Sequence, residues 1–242
     1  MKKIVFILLF ISGGQHLFAQ TIKDLIKQKT KLLTQQSTTD NSGNEIANAL
    51  KQALTIGAEK GSAALAQPDG FFKNAALKIL LPPEAQKIES TLRSVGMNKQ
   101  VDEAILSINR AAEDACKTAA PIFVSAIKEM TVTDAVNILK GADTAATSYL
   151  KRTTTAPLTS SFKPIIESSL QKTDATKHWN TLVSAYNKFS LRKLNPSLSD
   201  YVTQKALDGI YTQIAAEEKN IRQNPAARAT DLLKKVFGGI NR

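Results

Sequence analysis

Apolar residues recur along most of the chain at spacings of three to four positions, which places them on one face of an α-helix. The clearest example lies between residues 101 and 119, where nine apolar residues fall within an arc of about 140° on a helical wheel. Most of these side chains are small, so neighbouring backbones can approach closely, and the pattern predicts a central helix with other helices on several sides. The arc consists of Val101, Ala104, Ile105, Ile108, Ala111, Ala112, Ala115, Cys116 and Ala119.

Helix boundaries are marked clearly after this arc. Pro121 is expected to end the first helix, because proline has no N–H and its ring clashes with the preceding turn. A second helix follows, and Thr131 and Asp134 then have the spacing of a capping box for a third helix over residues 132–140. Gly141 is the expected stop of that third helix.

The last third of the chain has the most regular pattern. Its apolar positions predict a helix from about Ser199 to Gln223, and Gly209 in the middle indicates a bend or a close approach of another backbone. Asn224 and Pro225 have the types expected at the start of a closing helix. The repeating positions are Thr203, Leu207, Ile210, Ile214 and Ile221, and the other side of the helix carries Lys205, Asp208, Thr212 and Lys219.

Other segments predict breaks between helices. Residues 68–70 form a turn signal, and the apolar run Leu77–Leu81 is the only one that resembles a strand. The β-branched stretch 153–156 predicts a break, and Pro164 predicts a kink or a new start. The whole pattern therefore predicts an all-α fold, a single bundle of roughly eight to ten helices with no significant sheet.

The N-terminus has the pattern of a secretory signal peptide over residues 1–19. Lys2 and Lys3 precede an apolar run that is too short to span a bilayer, and Ala19 offers a cleavage point. Residues 20–44 are expected to form a short helix and a flexible linker, and residues 45–242 an all-α domain. We therefore expect a periplasmic or secreted protein without a transmembrane segment in the mature chain.

Charge widens the range of partners. The formal net charge is +11, and the loss of Lys2 and Lys3 with the acid-free signal peptide leaves +9. This charge favours an anionic envelope lipid as a partner, although basic residues spread along the chain are also what simple solubility requires. Another envelope protein is the second expected partner. No nucleic-acid partner is expected, and the oligomeric state stays open.

Cysteine and histidine are scarce. Cys116 is the one cysteine, and His178 is the one histidine after the signal peptide, so an intramolecular disulfide and a Cys/His metal cluster are excluded. Cys116 lies on the apolar arc and is expected to be a buried hydrophobic side chain, while His178 is expected at the surface. No cofactor motif, metal motif or catalytic motif occurs, so no metal ligand, no cofactor and no catalytic residue is assigned.

One polar group stands beside the apolar arc. Asn109, Arg110 and Glu113 are three to four positions apart, so their side chains can touch. They suit a cleft for an anionic or amide-bearing ligand, but a structural network between helices is the favoured interpretation. Lys205 and Asp208 are expected to form an ion pair on a solvated face. The candidate binding residues are Asn109, Arg110, Glu113, Lys205, Asp208, Arg222 and Arg228.

Eight stretches between about Glu45 and Gly238 resemble the bacterial family known as domain of unknown function 4197. The resemblance implies an exported, helical, envelope-associated protein with no assigned activity, and it supplies no catalytic residue. The stretches are residues 67–71, 109–113, 121–123, 130–135, 145–149, 162–165, 200–209 and 221–228.

Three functional hypotheses follow from the sequence. The first is a non-enzymatic binding or scaffold protein of the envelope, which we favour. The second is a binder of lipid, lipopolysaccharide or another anionic envelope component. The third is a hydrolase of an undescribed kind that uses Glu113 and Asp208 as its acid and base. A pocket lined by Asn109, Arg110 and Glu113 would distinguish a ligand site from a structural network.

Overall fold

A computed structural model describes residues 43–94, 96–172 and 197–224, together with 176, 179, 180, 184, 187 and 234, apart from the side chains at 84, 87, 88 and 92. The expected signal peptide, most of the linker, His178 and the closing helix lie outside these residues. Within them the fold is all-α and contains no strand, as predicted. The continuous helices are α1 (residues 43–66), α2 (Gln86–Ser94), α3 (Asn98–Cys116), α4 (Ala119–Glu129), α5 (Val132–Lys140), α6 (Ala145–Lys172) and α7 (Leu198–Gln223), with a 3-10 turn over Pro83–Ala85.

The described helices number fewer than the predicted eight to ten, since the closing helix lies outside the described residues and α6 is one helix of 28 residues. It passes through Pro157 and Pro164, and the expected break at 153–156 does not occur. A proline inside a helix costs about 3 kcal/mol, but full burial of one large apolar side chain contributes about 1.5 to 3 kcal/mol. Burial along one face of α6 therefore outweighs both prolines, through the fully buried Leu150, Leu158, Phe162, Ile166 and Leu170.

Threonine hydroxyls support the same helix. Thr154 donates to the Leu150 carbonyl at 2.6 Å, and Thr155 donates to the Lys151 carbonyl at 2.6 Å. These side chains bond within the helix instead of competing with it, since a threonine hydroxyl can bond the carbonyl four residues earlier.

The core is shared between α3 and α6 rather than centred on α3 alone. Helix α6 packs against α3, α4, α5 and α7, while α3 packs against α2, α4, α6 and α7. The predicted arc of α3 is buried with the exception of the partly exposed Ala104. Ala111, Ala112 and Ala115 are fully buried, as close helix packing requires.

The predicted boundaries of α5 are confirmed, but the predicted end of the first helix at Pro121 is wrong. Helix α3 ends at Cys116, and Pro121 instead lies in the first turn of α4, where a missing N–H is tolerated. Thr131 and Asp134 form both bonds of a capping box at the start of α5. Gly141 ends α5 with extended backbone, and a Cβ there would lie 2.7 Å from the Ala145 Cβ.

Residues 67–82 form a loop without regular structure between α1 and the 3-10 turn. Asp69 has a φ of 72°, and a Cβ on Gly70 would come within 2.7 Å of the Ala64 and Leu65 carbonyl oxygens, so the predicted turn is confirmed. Phe71 beyond it is fully buried. The run Leu77–Leu81 lies in this loop and joins no sheet among the described residues.

Candidate functional site

Asn109 of α3 is fully buried and bonds the loop backbone. Its Oδ1 accepts from the Ile79 N–H at 2.9 Å, and its Nδ2 donates to the Ile79 carbonyl at 2.8 Å and to the Ile105 carbonyl at 2.7 Å. The amide thus pairs with both backbone groups of Ile79, as a neighbouring strand would. Both amide protons are used, so Asn109 has no donor left for a ligand.

Glu113 lies one turn further along α3, and its side chain is only 4% exposed. Its Oε1 accepts from the N–H groups of Phe71 and Phe72 at 3.1 and 3.2 Å, and its Oε2 accepts from Arg110 at 2.6 Å. Two backbone donors and one guanidinium compensate the burial of this carboxylate.

Arg110 joins Glu113 to the turn of the loop. Its second terminal nitrogen donates to Asp69 Oδ1 at 2.7 Å, and its guanidinium carbon lies 5.9 Å from the centre of the Phe72 ring. The bonds to Glu113 and then to Asp69 raise the pKa of Arg110. Bonds from Lys73 and then from Arg110 lower the pKa of Asp69. We call Asn109, Arg110 and Glu113 the loop clamp.

The loop clamp connects α3 to the loop 67–82, and this partner differs from the prediction. The expected network joined two helices, whereas the observed one joins α3 to the loop 67–82. Asn109 and Glu113 were also placed just outside the buried arc, and both are buried. A polar side chain with a fixed backbone partner can be buried, and spacing alone does not reveal that partner.

A second clamp lies near the C-terminal end of α7. Glu218 accepts from the N–H groups of Ala146 and Thr147 at 3.0 and 2.8 Å and from the Thr147 hydroxyl at 2.8 Å. Arg222 donates to Glu218 at 2.9 and 3.0 Å and to the carbonyls of Ile138 and Leu139 at 2.8 and 3.3 Å. These two residues, the helix clamp, tie α7 to the start of α6 and the end of α5.

Arg222 is among the binding residues that the sequence predicts, whereas Glu218 is not. Glu218 stands four residues after Ile214 and three before Ile221, so it falls on the apolar face of α7. An acid on an apolar face with an arginine four residues later is the signal that indicates such a pair.

Lys205 and Asp208 do not form the expected ion pair. Asp208 accepts from the Gln204 amide at 3.1 Å, and the Lys205 ammonium lies 6.0 Å from the centre of the Tyr201 ring. Both residues are brought to one groove instead. Arg228, the remaining candidate, lies outside the described residues.

The groove occupies about 310 Å³ between residues 76–86 and α7. Tyr201, Lys205, Asp208 and Thr212 line it on the helix side, and Tyr201 donates to the Leu80 carbonyl at 2.9 Å. We call it the Leu80 groove, after a leucine in its wall that is 50% exposed. A second groove of about 330 Å³ lies near the start of α7, between Glu167 and Ser199. Neither groove is lined by the loop clamp.

The two acids of the hydrolase hypothesis are not brought into one site. Phe71 lies between them, because its N–H donates to Glu113 while its ring rests against Gly209, next to Asp208. Cys116 is 1% exposed, and burial, with the nearby Glu113 charge, raises the pKa of its thiol. A protonated buried thiol is a poor nucleophile.

Among the described residues no cluster of three metal-binding side chains occurs. None of the described helices combines the length and the apolar character needed to cross a membrane.

The fold and its two clamps define a class: an all-helical protein in which buried carboxylate–arginine pairs hold helices and a loop together. The chain belongs to the protein family of unknown function DUF4197, whose model matches residues 40–238. Comparisons with curated proteins and with solved structures found no match.

Proposed function

We propose that this protein is exported to the bacterial envelope and acts there by binding or scaffolding rather than by catalysis. The observation that carries this proposal is that the polar groups of the loop clamp are bonded within the protein. Glu113 directs both carboxylate oxygens at backbone N–H groups and Arg110, and Asn109 has no free donor. Groups engaged in this way stabilise the fold and are poorly placed to transfer protons to a substrate.

We propose the Leu80 groove as the surface that a partner binds. Its wall contains the exposed Leu80 and two cationic side chains, Lys78 and Lys205. Both walls are held in place, one by the loop clamp through Ile79 and the other by the packing of α7 against α3 and α6. A preformed groove of this kind suits binding with little reorganisation.

Export is supported by the residues that precede the described part. Two lysines, an apolar run and Ala19 have the order of a secretory signal peptide. The experiment is expression of the full chain in a bacterium, followed by cell fractionation and mass spectrometry of the purified protein. We expect Gln20 at the N-terminus and recovery from the envelope. An intact Met1 or recovery from the cytoplasm would contradict the proposal.

The binding role is tested in the same cells with a photo-crosslinking amino acid. We expect covalent adducts when it replaces Lys205 in the Leu80 groove and fewer when it replaces Lys219, which is exposed on α7 outside that groove. Equal yields at the two positions would show that the groove has no partner in the envelope.

The charge of +9 supports one alternative, a binder of anionic lipid. Co-sedimentation with acidic liposomes would then fall steeply with salt, because exposed charges are screened over about 8 Å at physiological ionic strength. Equal sedimentation with neutral and acidic liposomes would remove charge as the cause.

A further inference from the structure

We infer that the Leu80 groove binds an extended peptide segment that carries an acidic side chain, which rests on the binding role proposed above. The inference starts from the backbone of the loop. The Ile79 N–H donates to Asn109 Oδ1, and the Ile79 carbonyl accepts from Asn109 Nδ2. In an extended chain the backbone groups of successive residues point to opposite sides, so those of Leu80 point away from Asn109.

Leu80 confirms this direction and leaves one donor open. Its carbonyl accepts from Tyr201, which lines the groove. In an extended chain the N–H and the carbonyl of one residue point to the same side, so we infer that the Leu80 N–H faces the groove as well. No backbone or side-chain group among the described residues accepts from that N–H. The groove wall therefore offers an unpaired main-chain donor beside a half-exposed leucine side chain. This combination recognises another peptide backbone, as in strand addition to a sheet edge.

The charged side chains that line the groove indicate which side chains the bound peptide carries. Lys78 and Lys205 both line it, and neither forms an ion pair with an acid among the described residues. Lys78 lies over the Phe72 ring at 4.3 Å, and Lys205 lies near Tyr201. Among the described residues of the lining, Asp208 is the one acid, so two cations face one anion there. An acidic side chain on the occupant is complementary to this excess.

A lipid head group shares the negative charge, and a phosphate oxygen can accept from the Leu80 N–H. It carries no apolar side chain for the half-exposed Leu80 beside that donor. A peptide is the occupant whose carbonyl, acidic side chain and apolar side chain match the donor, the cations and Leu80 together.

The test uses the purified mature protein and a short fluorescein-labelled peptide in which glutamate alternates with valine. Binding is measured by fluorescence anisotropy, beside a peptide in which lysine replaces glutamate. We expect the acidic peptide to bind and the lysine peptide to bind at least about tenfold more weakly, since like charges would then face each other.

Two pairs of variants locate the site. Lys205→Glu is expected to weaken binding about tenfold, whereas Lys219→Glu, also exposed on α7 but outside the groove, changes binding little. Leu80→Pro removes the open N–H, and Leu80→Ala removes only the side chain, so the proline variant is expected to bind more weakly than the alanine variant. Circular dichroism and thermal melting show that each variant is folded.

Each contrary result overturns the inference. The contrary results are a lack of binding by the acidic peptide, equal effects of Lys205→Glu and Lys219→Glu on binding, and equal binding by Leu80→Pro and Leu80→Ala. Binding of acidic liposomes without peptide binding also overturns it. The proposed envelope role is tested separately, by the N-terminal residue of the purified protein and by the cross-linking yields in cells.

Discussion

At the residue scale, the two buried acids act in the same way. Glu113 and Glu218 each accept from two consecutive backbone N–H groups of another segment and from one arginine on their own helix. A buried carboxylate is expensive unless every oxygen is paired, so each acid fixes its helix against one partner in one position.

Removal of the Glu113 carboxylate should destabilise the fold strongly. Glu113→Ala leaves the N–H groups of Phe71 and Phe72 unpaired and is expected to cost about 3 to 5 kcal/mol in the free energy of unfolding. Arg110→Ala should cost less, because Arg110 is 39% exposed. Urea denaturation of the two single variants and the double variant measures this. The double variant should lose less than the sum of both, since contacting residues are coupled.

Glu103→Ala is the control for this cycle, as an exposed acid on the same helix whose nearest cation, Lys99, is 3.8 Å away. Its expected effect is within about 0.5 kcal/mol. Additive losses for Arg110 and Glu113 would mean that their contact contributes nothing to stability.

The Cys116 thiol should be unreactive in the folded protein. It is buried at 1% exposure, and its raised pKa keeps it protonated at neutral pH. Ellman's reagent is expected to label it only after unfolding in denaturant. Rapid labelling without denaturant would show that the α3 face opens, and a melting temperature that falls with reductant would reveal a bridge between chains.

At the element scale, a single glycine sets the distance between α7 and the loop. A Cβ on Gly209 would overlap the Phe71 ring, whose backbone N–H is bonded to Glu113. The glycine therefore lets the loop clamp and α7 hold the same residue from two sides. This contact explains why a helix-weakening residue stands in the middle of a long helix.

Gly209→Ala should therefore destabilise by about 1 to 3 kcal/mol, the usual cost of overpacking a core. Gly57→Ala is the matched control in α1, because a Cβ there meets only Ile221 Cδ1 at 4.0 Å. Alanine is the better helix former by about 1 kcal/mol, so Gly57→Ala should leave stability unchanged or raise it. Thermal unfolding measures the stability of both variants. Equal changes in stability would show that the contact with Phe71 does not limit the size of the residue at position 209.

At the scale of the whole molecule, stability should fall in acid. Bonds from partners lower the pKa of several aspartates below the ordinary value of 3.8, including Asp69, Asp134 and Asp200. A group with a lowered folded-state pKa stabilises fully above its unfolded pKa, and this contribution is lost as pH falls through the folded-state pKa. The free energy of unfolding is thus expected to decline below about pH 4.

Asp134 allows a specific check of this acid dependence. Its bonds from the Thr131 hydroxyl and N–H are the causes of its lowered pKa. Asp134→Asn should lower stability at neutral pH and reduce the slope of stability against pH between about 4 and 2, because one titrating group is gone. Urea unfolding across this pH range measures the slope, and an unchanged slope would exclude Asp134 as a contributor.

Local sequence determined most of the helices because their signals are local. The period of apolar residues placed α3 and α7, and the Thr131–Asp134 spacing placed the start of α5. The turn at Asp69 and a close approach at Gly209 were also indicated by residue type, although the group that approaches Gly209 is the Phe71 ring and not a backbone. Side-chain period, capping and glycine geometry depend on neighbours within a few residues, and the sequence contains that information.

Tertiary structure decided the continuity of α6, the partners of the buried acids and the groove. Burial against α3, α4, α5 and α7 overrode two prolines and a β-branched stretch, which local propensity alone would interpret as breaks. Glu113 bonds residues 41 and 42 positions away, and Glu218 bonds residues 71 and 72 positions away. The sequence determined that these acids lie on helices, but which backbone donors reach them depends on how distant segments pack.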